Sequence, residues 1–247
     1  MRAGALVEAL SGDGPALLTA ARRAGWEALV PGCPDWNVRD LVIHAGGVHR
    51  WAADVVRNAR AGTDTDLAAE VGNGPSDAEL PDWFADGHRD LVAVLRVAPD
   101  DLACAAFLPA DSPKHFWARR QAHETAIHRA DAEQAAGSVP SFAADFAQDG
   151  IAEVLLGFAR RRSNAIAAPG RLALHAEDGP SWLVTFGGER IEAATSGAGV
   201  DGGGADATVS GTSSELYLWL WNRPSRAVVT GDAAVAQRWR GVRVRWG

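Results

Sequence analysis

A glutamate and two histidines are the residues of this chain whose types and spacing best suit catalysis. Glu124 and His128 are four residues apart in a segment with helical patterning, and such residues lie on one helix face with Cβ atoms about 5–6 Å apart. His44 lies in another predicted helix. A carboxylate and an imidazole on one helix, with a second imidazole from a neighbouring helix, can bind one metal ion. Three protein ligands leave a coordination position open, which is typical of a catalytic zinc rather than a structural one.

A simple Glu–His ion pair is the competing interpretation, and from spacing alone it is the commoner arrangement on helices. His123 makes the segment similar to the metalloprotease motif HExxH, but His123 and His128 are five residues apart. At 3.6 residues per turn their side chains diverge by roughly 140°. The segment therefore does not predict a protease. His49 is next to Arg50, and we predict that it lies at the surface.

Two further side chains are predicted to support the candidate ligands. Asp131 follows His128 by about one helical turn, so its carboxylate is predicted to accept a hydrogen bond from that imidazole and orient it. Trp36 lies shortly before His44 in the sequence. Most tryptophans pack in protein cores, but this one is predicted to line an apolar pocket beside the ligands.

The composition is that of a soluble globular protein. Of 247 residues, 47 % are hydrophobic and 22 % are charged, which excludes a disordered chain. The net charge of −7 argues against a nucleic-acid partner. Two cysteines without CxxC spacing indicate a reducing compartment, and we find neither a signal peptide nor an apolar run long enough for a membrane span. We expect a cytoplasmic monomer or weak homodimer.

Helix signals dominate the first two thirds of the chain. Asn37 with Asp40 is typical of a capping box, and Ser112 before Pro113 is typical of a helix start. The stretch from about residue 4 to residue 30 also has helical spacing, and the Ser-Gly-Asp-Gly-Pro segment at residues 11–15 predicts a break there. Four or five long helices with short connections predict an antiparallel helical bundle over residues 1–163.

The pattern changes after residue 169. Two alternating segments, residues 171–176 and 181–186, flank a turn sequence and predict a β-hairpin. Thr212 with Glu215 forms a second capping box before a short helix. We predict a small α+β domain over residues 170–247, so the fold class is a helical bundle followed by a small α+β domain.

Two segments resemble the mycothiol-dependent maleylpyruvate isomerase family. Residues 36–44 are similar to the family's Trp-x-Val-x-Asp-Leu-x-x-His segment, and residues 117–133 are similar to its second metal segment. The order and spacing of these elements agree over nearly the whole chain. The C-terminal part is similar to the family's smaller, sterol-carrier-like domain through residues 216–221 and 228–232.

The resemblance implies a DinB-like helical bundle with one zinc ion bound by His44, Glu124 and His128. It implies mycothiol, a low-molecular-weight thiol of actinobacteria, as cosubstrate, and a small electrophilic acid as substrate. The implied reaction is the cis–trans isomerisation of maleylpyruvate to fumarylpyruvate, or a related thiol addition. The resemblance also suggests a catalytic arginine on the smaller domain, for which Arg223 is our candidate, with Arg226 close behind.

Three alternatives stay open at this point. A mycothiol S-transferase would keep the thiol chemistry and act on other electrophiles, including xenobiotics. A non-catalytic ligand-binding or regulatory module would need no metal. Two histidines and one carboxylate are also the ligand set of non-haem iron enzymes.

Overall fold

The chain, in a computed structural model, forms two compact units, Met1–Pro140 and Ser141–Gly247. The structure describes residues 1–63, 71–72, 74–196 and 204–244. The sequence also predicts a connector at about residues 62–75 and a glycine-rich loop at residues 197–204, and most of both segments lies outside the described residues. Within the described residues, no helix combines the length and apolar character that a membrane span requires.

Within the described residues, the first unit is a bundle of four long helices with a small two-stranded sheet. The helices and strands, in chain order, are α1 (Ala3–Ala24), β1 (Leu29–Val30), β2 (Cys33–Asn37), α2 (Val38–Arg57), α3 (Leu80–Val97) and α4 (Pro113–Ala135). Helix α4 packs against both α1 and α2, and α2 packs against α3. The pair α2 and α4 therefore brings together the two segments that carry the candidate ligands.

The predicted caps fix where α2 and α4 begin. The Asn37 side chain accepts a hydrogen bond from the Asp40 backbone N–H at 2.9 Å, and the Asp40 carboxylate accepts one from the Asn37 N–H at 3.1 Å. The Ser112 hydroxyl oxygen accepts from the His115 N–H at 3.1 Å, with Pro113 at the first helical position. These caps satisfy backbone N–H groups of the first helical turn, and so stabilise the two helices that carry the candidate ligands.

The predicted break in α1 is wrong, since the helix continues through Pro15. Its buried apolar side chains, Leu10 and Leu17 among them, lie on both sides of the proline, so packing outweighs the one backbone hydrogen bond that proline removes. Gly14 is needed for contact rather than for a turn. A Cβ atom there would lie 2.3 Å from His88 Nε2.

The second unit is a small α+β domain, as predicted. Its elements are α5 (Ala144–Glu153), continued by a π-helical segment (Val154–Phe158), β3 (Gly170–Ala176), β4 (Ser181–Phe186), β5 (Glu192–Ser196), β6 (Ala207–Gly211), α6 (Ser213–Leu220), β7 (Val228–Gly231) and α7 (Ala233–Gln237). The strand order is β5-β4-β3-β6-β7. Strands β3 and β6 are parallel, and the other neighbours are antiparallel. The predicted hairpin is β3–β4, with Leu172 opposite Val184, and both side chains are buried.

The boundary between the units lies earlier in the chain than the predicted one between residues 163 and 170. Helix α5, which the pattern joined to the bundle, packs against α6 of the second unit. Gly150 makes this approach possible, because a Cβ atom there would lie 2.3 Å from the Tyr217 ring. An apolar helix face does not reveal from sequence which core it will join. The predicted fold class itself, a helical bundle followed by a small α+β domain, is confirmed.

The contact at Gly150 yields a stability prediction. Gly150→Ala should lower the free energy of unfolding by about 1–3 kcal/mol, because the added methyl group must displace the buried Tyr217 ring. Gly12→Ala is the matched control. Gly12 is also inside a helix, but a Cβ atom there meets nothing within 4 Å, so this change should stabilise by roughly 0.5–1 kcal/mol. Urea unfolding measures both, and an unchanged midpoint for Gly150→Ala would contradict the packing argument.

Candidate metal centre

The structure brings together the three ligands suggested by the sequence. His44 on α2 and Glu124 and His128 on α4 offer ligand atoms that all lie within 4.8 Å of one another. Glu124 Oε1 is 3.3 Å from His44 Nε2 and 3.1 Å from His128 Nε2. Among the described residues, this is the one group of three or more His, Cys, Asp or Glu side chains suited to hold a metal ion.

The centre is mostly buried and is accessible at His44. Glu124 and His128 are 7 % and 6 % exposed, whereas the His44 side chain is 29 % exposed. The Trp36 ring packs beside the centre, with its centroid 4.8 Å from that of His44 and 6.1 Å from that of His128. Of the three candidate ligands, His44 is therefore the one most exposed to solvent.

Without a metal, the centre holds a proton on His128. Burial alone lowers the pKa of this imidazole, but hydrogen bonds to Asp131 and Glu124 outweigh it and raise the pKa to about 9. For Glu124 the effects have the opposite signs. Burial raises the pKa of this carboxyl group, but hydrogen bonds from His128 and His44 and the nearby positive charges outweigh burial and hold the pKa well below its usual range. A divalent cation would take the position of this proton between the imidazole and the carboxylate.

Asp131 supports His128 as predicted. Its carboxylate accepts a hydrogen bond from His128 Nδ1 at 3.0 Å, and its side chain is completely buried. This contact fixes the imidazole ring so that Nε2 faces Glu124. Metal-binding histidines usually donate their other ring N–H to a carboxylate or carbonyl in this way, so the pair fits a metal site as well as a protonated one.

Arg120 was not identified from the sequence, although it precedes Glu124 by four residues. Its side chain is fully buried, and its Nη2 donates to Glu124 Oε2 at 3.2 Å. The two carboxylate oxygens therefore have different partners: Oε2 binds the guanidinium, and Oε1 faces the two histidines. The signal available in the sequence was the four-residue spacing itself, which puts arginine and glutamate on one face.

The prediction that His49 lies at the surface is wrong. His49 is completely buried, its Nε2 is 2.9 Å from the Thr125 hydroxyl, and its ring packs 5.3 Å from that of His88. Burial is the main cause of a pKa well below the usual value, so this histidine is neutral. The neighbouring Arg50 does not mark an exposed helix face, because its guanidinium lies over the Trp83 ring.

The remaining candidates lie outside the group of three. His123 is buried on α4 but does not join the other ligands, as its five-residue spacing predicts. Arg223 belongs to the second unit, where it is half-buried and donates to the Trp221 carbonyl oxygen at 3.1 Å. Its catalytic role stays a prediction.

The raised pKa of His128 predicts how stability depends on pH in the metal-free protein. The folded state keeps a proton that the unfolded chain releases above its ordinary value of 6.5. This contribution is therefore complete below pH 6.5 and is lost as the pH rises towards 9. The free energy of unfolding should fall by roughly 3 kcal/mol across this window.

The pH range from 6.5 to 9 distinguishes the effect of His128 on stability from the effects of the other histidines whose pKa values are shifted. His49 and His88 have lowered pKa values, so their contributions change below pH 6.5 rather than above it. Asp131→Asn serves as the comparison, because loss of the carboxylate should flatten the slope between pH 6.5 and 9. Urea unfolding after chelation measures both proteins, and a flat profile for the unmodified chain would contradict the assignment.

Comparison with known proteins gives concordant results over both units. The model of the Mycothiol maleylpyruvate isomerase N-terminal domain matches residues 7–133, and that of the MDMPI C-terminal domain matches residues 145–238. The gap between the two matches contains the boundary at Pro140 and Ser141. No protein of curated function matches the chain in sequence.

Solved structures show the same fold. A crystal structure of the mycothiol-dependent maleylpyruvate isomerase, and one of a histidine-to-alanine mutant of it, each cover 94 % of this chain and 95 % of their own. Sequence identity is 13 % in both cases, and the TM-scores are 0.64 and 0.65. The resemblance seen in the sequence is confirmed by the two domain matches, and the chain belongs to the mycothiol maleylpyruvate isomerase family.

Proposed function

We propose that this chain is a zinc enzyme that uses mycothiol to isomerise maleylpyruvate to fumarylpyruvate, or to carry out a closely related thiol addition. The observation that carries the proposal is the convergence of His44, Glu124 and His128, with donor atoms within 4.8 Å of one another. The three side chains lie inside the matched N-terminal domain. The two structural neighbours are the mycothiol-dependent maleylpyruvate isomerase and a mutant of it, which supports the choice of thiol and substrate.

The donor set fits a catalytic metal ion. Two imidazoles and one carboxylate oxygen are a ligand set found in catalytic zinc sites, where a fourth position takes water or substrate. Iron accepts the same set, and zinc is favoured here because the proposed chemistry needs no redox change. When bound, the metal supplies the positive charge that stabilises a thiolate at neutral pH.

The protein's own side chains have separable roles. Asp131 holds the Nδ1–H of His128, which leaves Nε2 to face the metal position once its proton is released. Glu124 presents Oε1 to that position while Oε2 stays on Arg120. The Trp36 ring lies beside His44, where it would border the space that the thiol and the substrate occupy.

The reaction needs an anionic sulfur and a bound acid. The thiolate adds to one carbon of the cis double bond, and the electron pair moves onto the conjugated carbonyl oxygen. The former double bond is then a single bond and rotates. Return of the electron pair expels the sulfur and re-forms the double bond as trans. We assign Arg223 to bind a substrate carboxylate, since a guanidinium can hold a carboxylate through two parallel hydrogen bonds.

A mycothiol S-transferase is the second candidate. It would need the same thiol-activating residues, and an identity of only 13 % to the isomerase structures leaves the electrophile open. Product analysis distinguishes the two, because an isomerase returns the free thiol whereas a transferase yields a stable thioether. A non-catalytic binding module would instead be purified without bound metal and would show no thiol-dependent turnover.

Metal content tests the ligand assignment. The unmodified protein should contain roughly one zinc ion per chain, and His128→Ala and Glu124→Ala should lose it, because two remaining donors bind zinc weakly. His115→Ala is the matched control, since His115 is a histidine of the same helix that lies outside the group of three. Elemental analysis after gel filtration measures all four proteins. Full metal occupancy in His128→Ala would show that the ligands are wrong.

Thiol-dependent turnover tests the assignment of Arg223. Arg223→Gln should lower kcat/KM for maleylpyruvate by about 10–100-fold, the loss expected for a charge-assisted hydrogen bond to a substrate. Metal content should not change. Arg190→Gln, at an exposed arginine of the same unit, is the control. Equal kcat/KM values for the two variants would remove Arg223 from the site.

A further inference from the structure

Arg120 is a charged side chain without any exposure to solvent. A buried charge is costly unless it is paired and hydrogen-bonded. Its guanidinium Nη2 lies 3.2 Å from Glu124 Oε2, on the carboxylate that also contacts His44 and His128. The arginine is therefore adjacent to the metal centre without being one of its ligands.

The contact divides the two oxygens of Glu124 between different tasks. Oε1 makes both histidine contacts, at 3.3 and 3.1 Å, and Oε2 is bound by Arg120. A carboxylate held in this way offers a metal one oxygen. A carboxylate released from the guanidinium can turn and offer both oxygens, which would occupy the position that a thiol requires.

Charge gives Arg120 a second effect. The guanidinium Nη2 lies 3.2 Å from Glu124 Oε2, so removal of the arginine would make the buried surroundings of the metal position one charge more negative. A more negative surrounding away from water opposes loss of the proton from a bound thiol.

We propose that Arg120 is a positioning residue of this centre, which keeps Glu124 to one-oxygen coordination and supplies the positive charge that allows a thiolate to bind. The inference rests on the proposed function, because it concerns a metal and a thiol at the same site. A purely structural arginine would differ in one respect: its removal would alter folding but would leave the acidity of the bound thiol unchanged.

The test compares Arg120→Met and Arg120→Lys with Arg119→Met, in protein loaded with Co²⁺ as a visible probe. Arg119 is the adjacent arginine on α4 and is only half-buried, so Arg119→Met controls for the loss of one arginine from the same helix turn. Metal affinity is measured by competition with a chelator. Thiol ionisation is measured by titrating mycothiol against the Co²⁺–thiolate absorption band across pH.

In Arg120→Met, metal affinity should fall about 10–100-fold, and the pH midpoint for thiolate binding should rise by about one unit. Arg120→Lys should restore the midpoint, because it restores the charge, but should keep part of the loss in metal affinity, because an ammonium lacks the planar fork. Arg119→Met should match the unmodified protein in both measurements.

An unchanged midpoint in a folded Arg120→Met variant would overturn the inference while leaving the proposed function in place. If Arg120→Met does not fold, Arg120→Lys decides: a midpoint equal to that of the unmodified protein, with weakened metal binding, supports the positioning role, and an unaltered metal affinity overturns it. Absence of any metal or thiol band in the unmodified protein would instead overturn the proposed function, and this inference with it.

Discussion

One buried carboxylate constrains how α2 packs against α4. Glu124 is almost removed from water, and its negative charge would be very costly there without partners. It has three: a guanidinium from its own helix, an imidazole one turn further along, and an imidazole from α2. The contact with His44 is the one that crosses between helices. The same interaction that satisfies the charge therefore brings the donor atoms of a metal site together.

The surrounding polar groups extend this arrangement through the bundle. Asp131 is hydrogen-bonded to His128. Thr125, next to Glu124, is hydrogen-bonded to His49 of α2. His49 in turn packs against His88 of α3, whose Nε2 binds the carbonyl oxygen of Leu10 on α1. All four helices thus contribute to a buried polar layer. The hydrogen bonds of His128 to Asp131 and of His49 to Thr125 restrain these rings, and a metal site benefits when its ligands cannot easily move.

The second unit serves different physical requirements. Along β3, β4 and β6, buried positions alternate with half-buried or exposed ones, and α5 packs on α6. The capping box at Thr212 and Glu215 starts α6, and Arg223 follows that helix shortly after its end. A residue just after a short, well-capped helix is held by local hydrogen bonds, here to the carbonyl oxygens of Leu218 and Trp221.

The sequence by itself determined the features that depend on residues close together in the chain. The caps at Asn37 and Ser112, the β3–β4 hairpin and the four-residue spacing of Glu124 and His128 all depend on residues close together in the chain, so they are readable from it. The support of His128 by Asp131 belongs to the same class. These features sufficed for the fold class and for a metal hypothesis that spacing alone did not separate from an ion pair.

Only the tertiary structure decided which helix faces meet. It placed His44 beside Glu124, buried His49 despite its charged neighbour, carried α1 through Pro15 and assigned α5 to the second unit. Each of these outcomes depends on contacts between residues far apart in sequence, whose summed packing overrides local preference. Arg120 is a further example. Its four-residue spacing from Glu124 is visible in the sequence, but the sequence does not show that the pair is buried. Burial makes the pairing necessary, because an unpaired charge is costly where water is excluded.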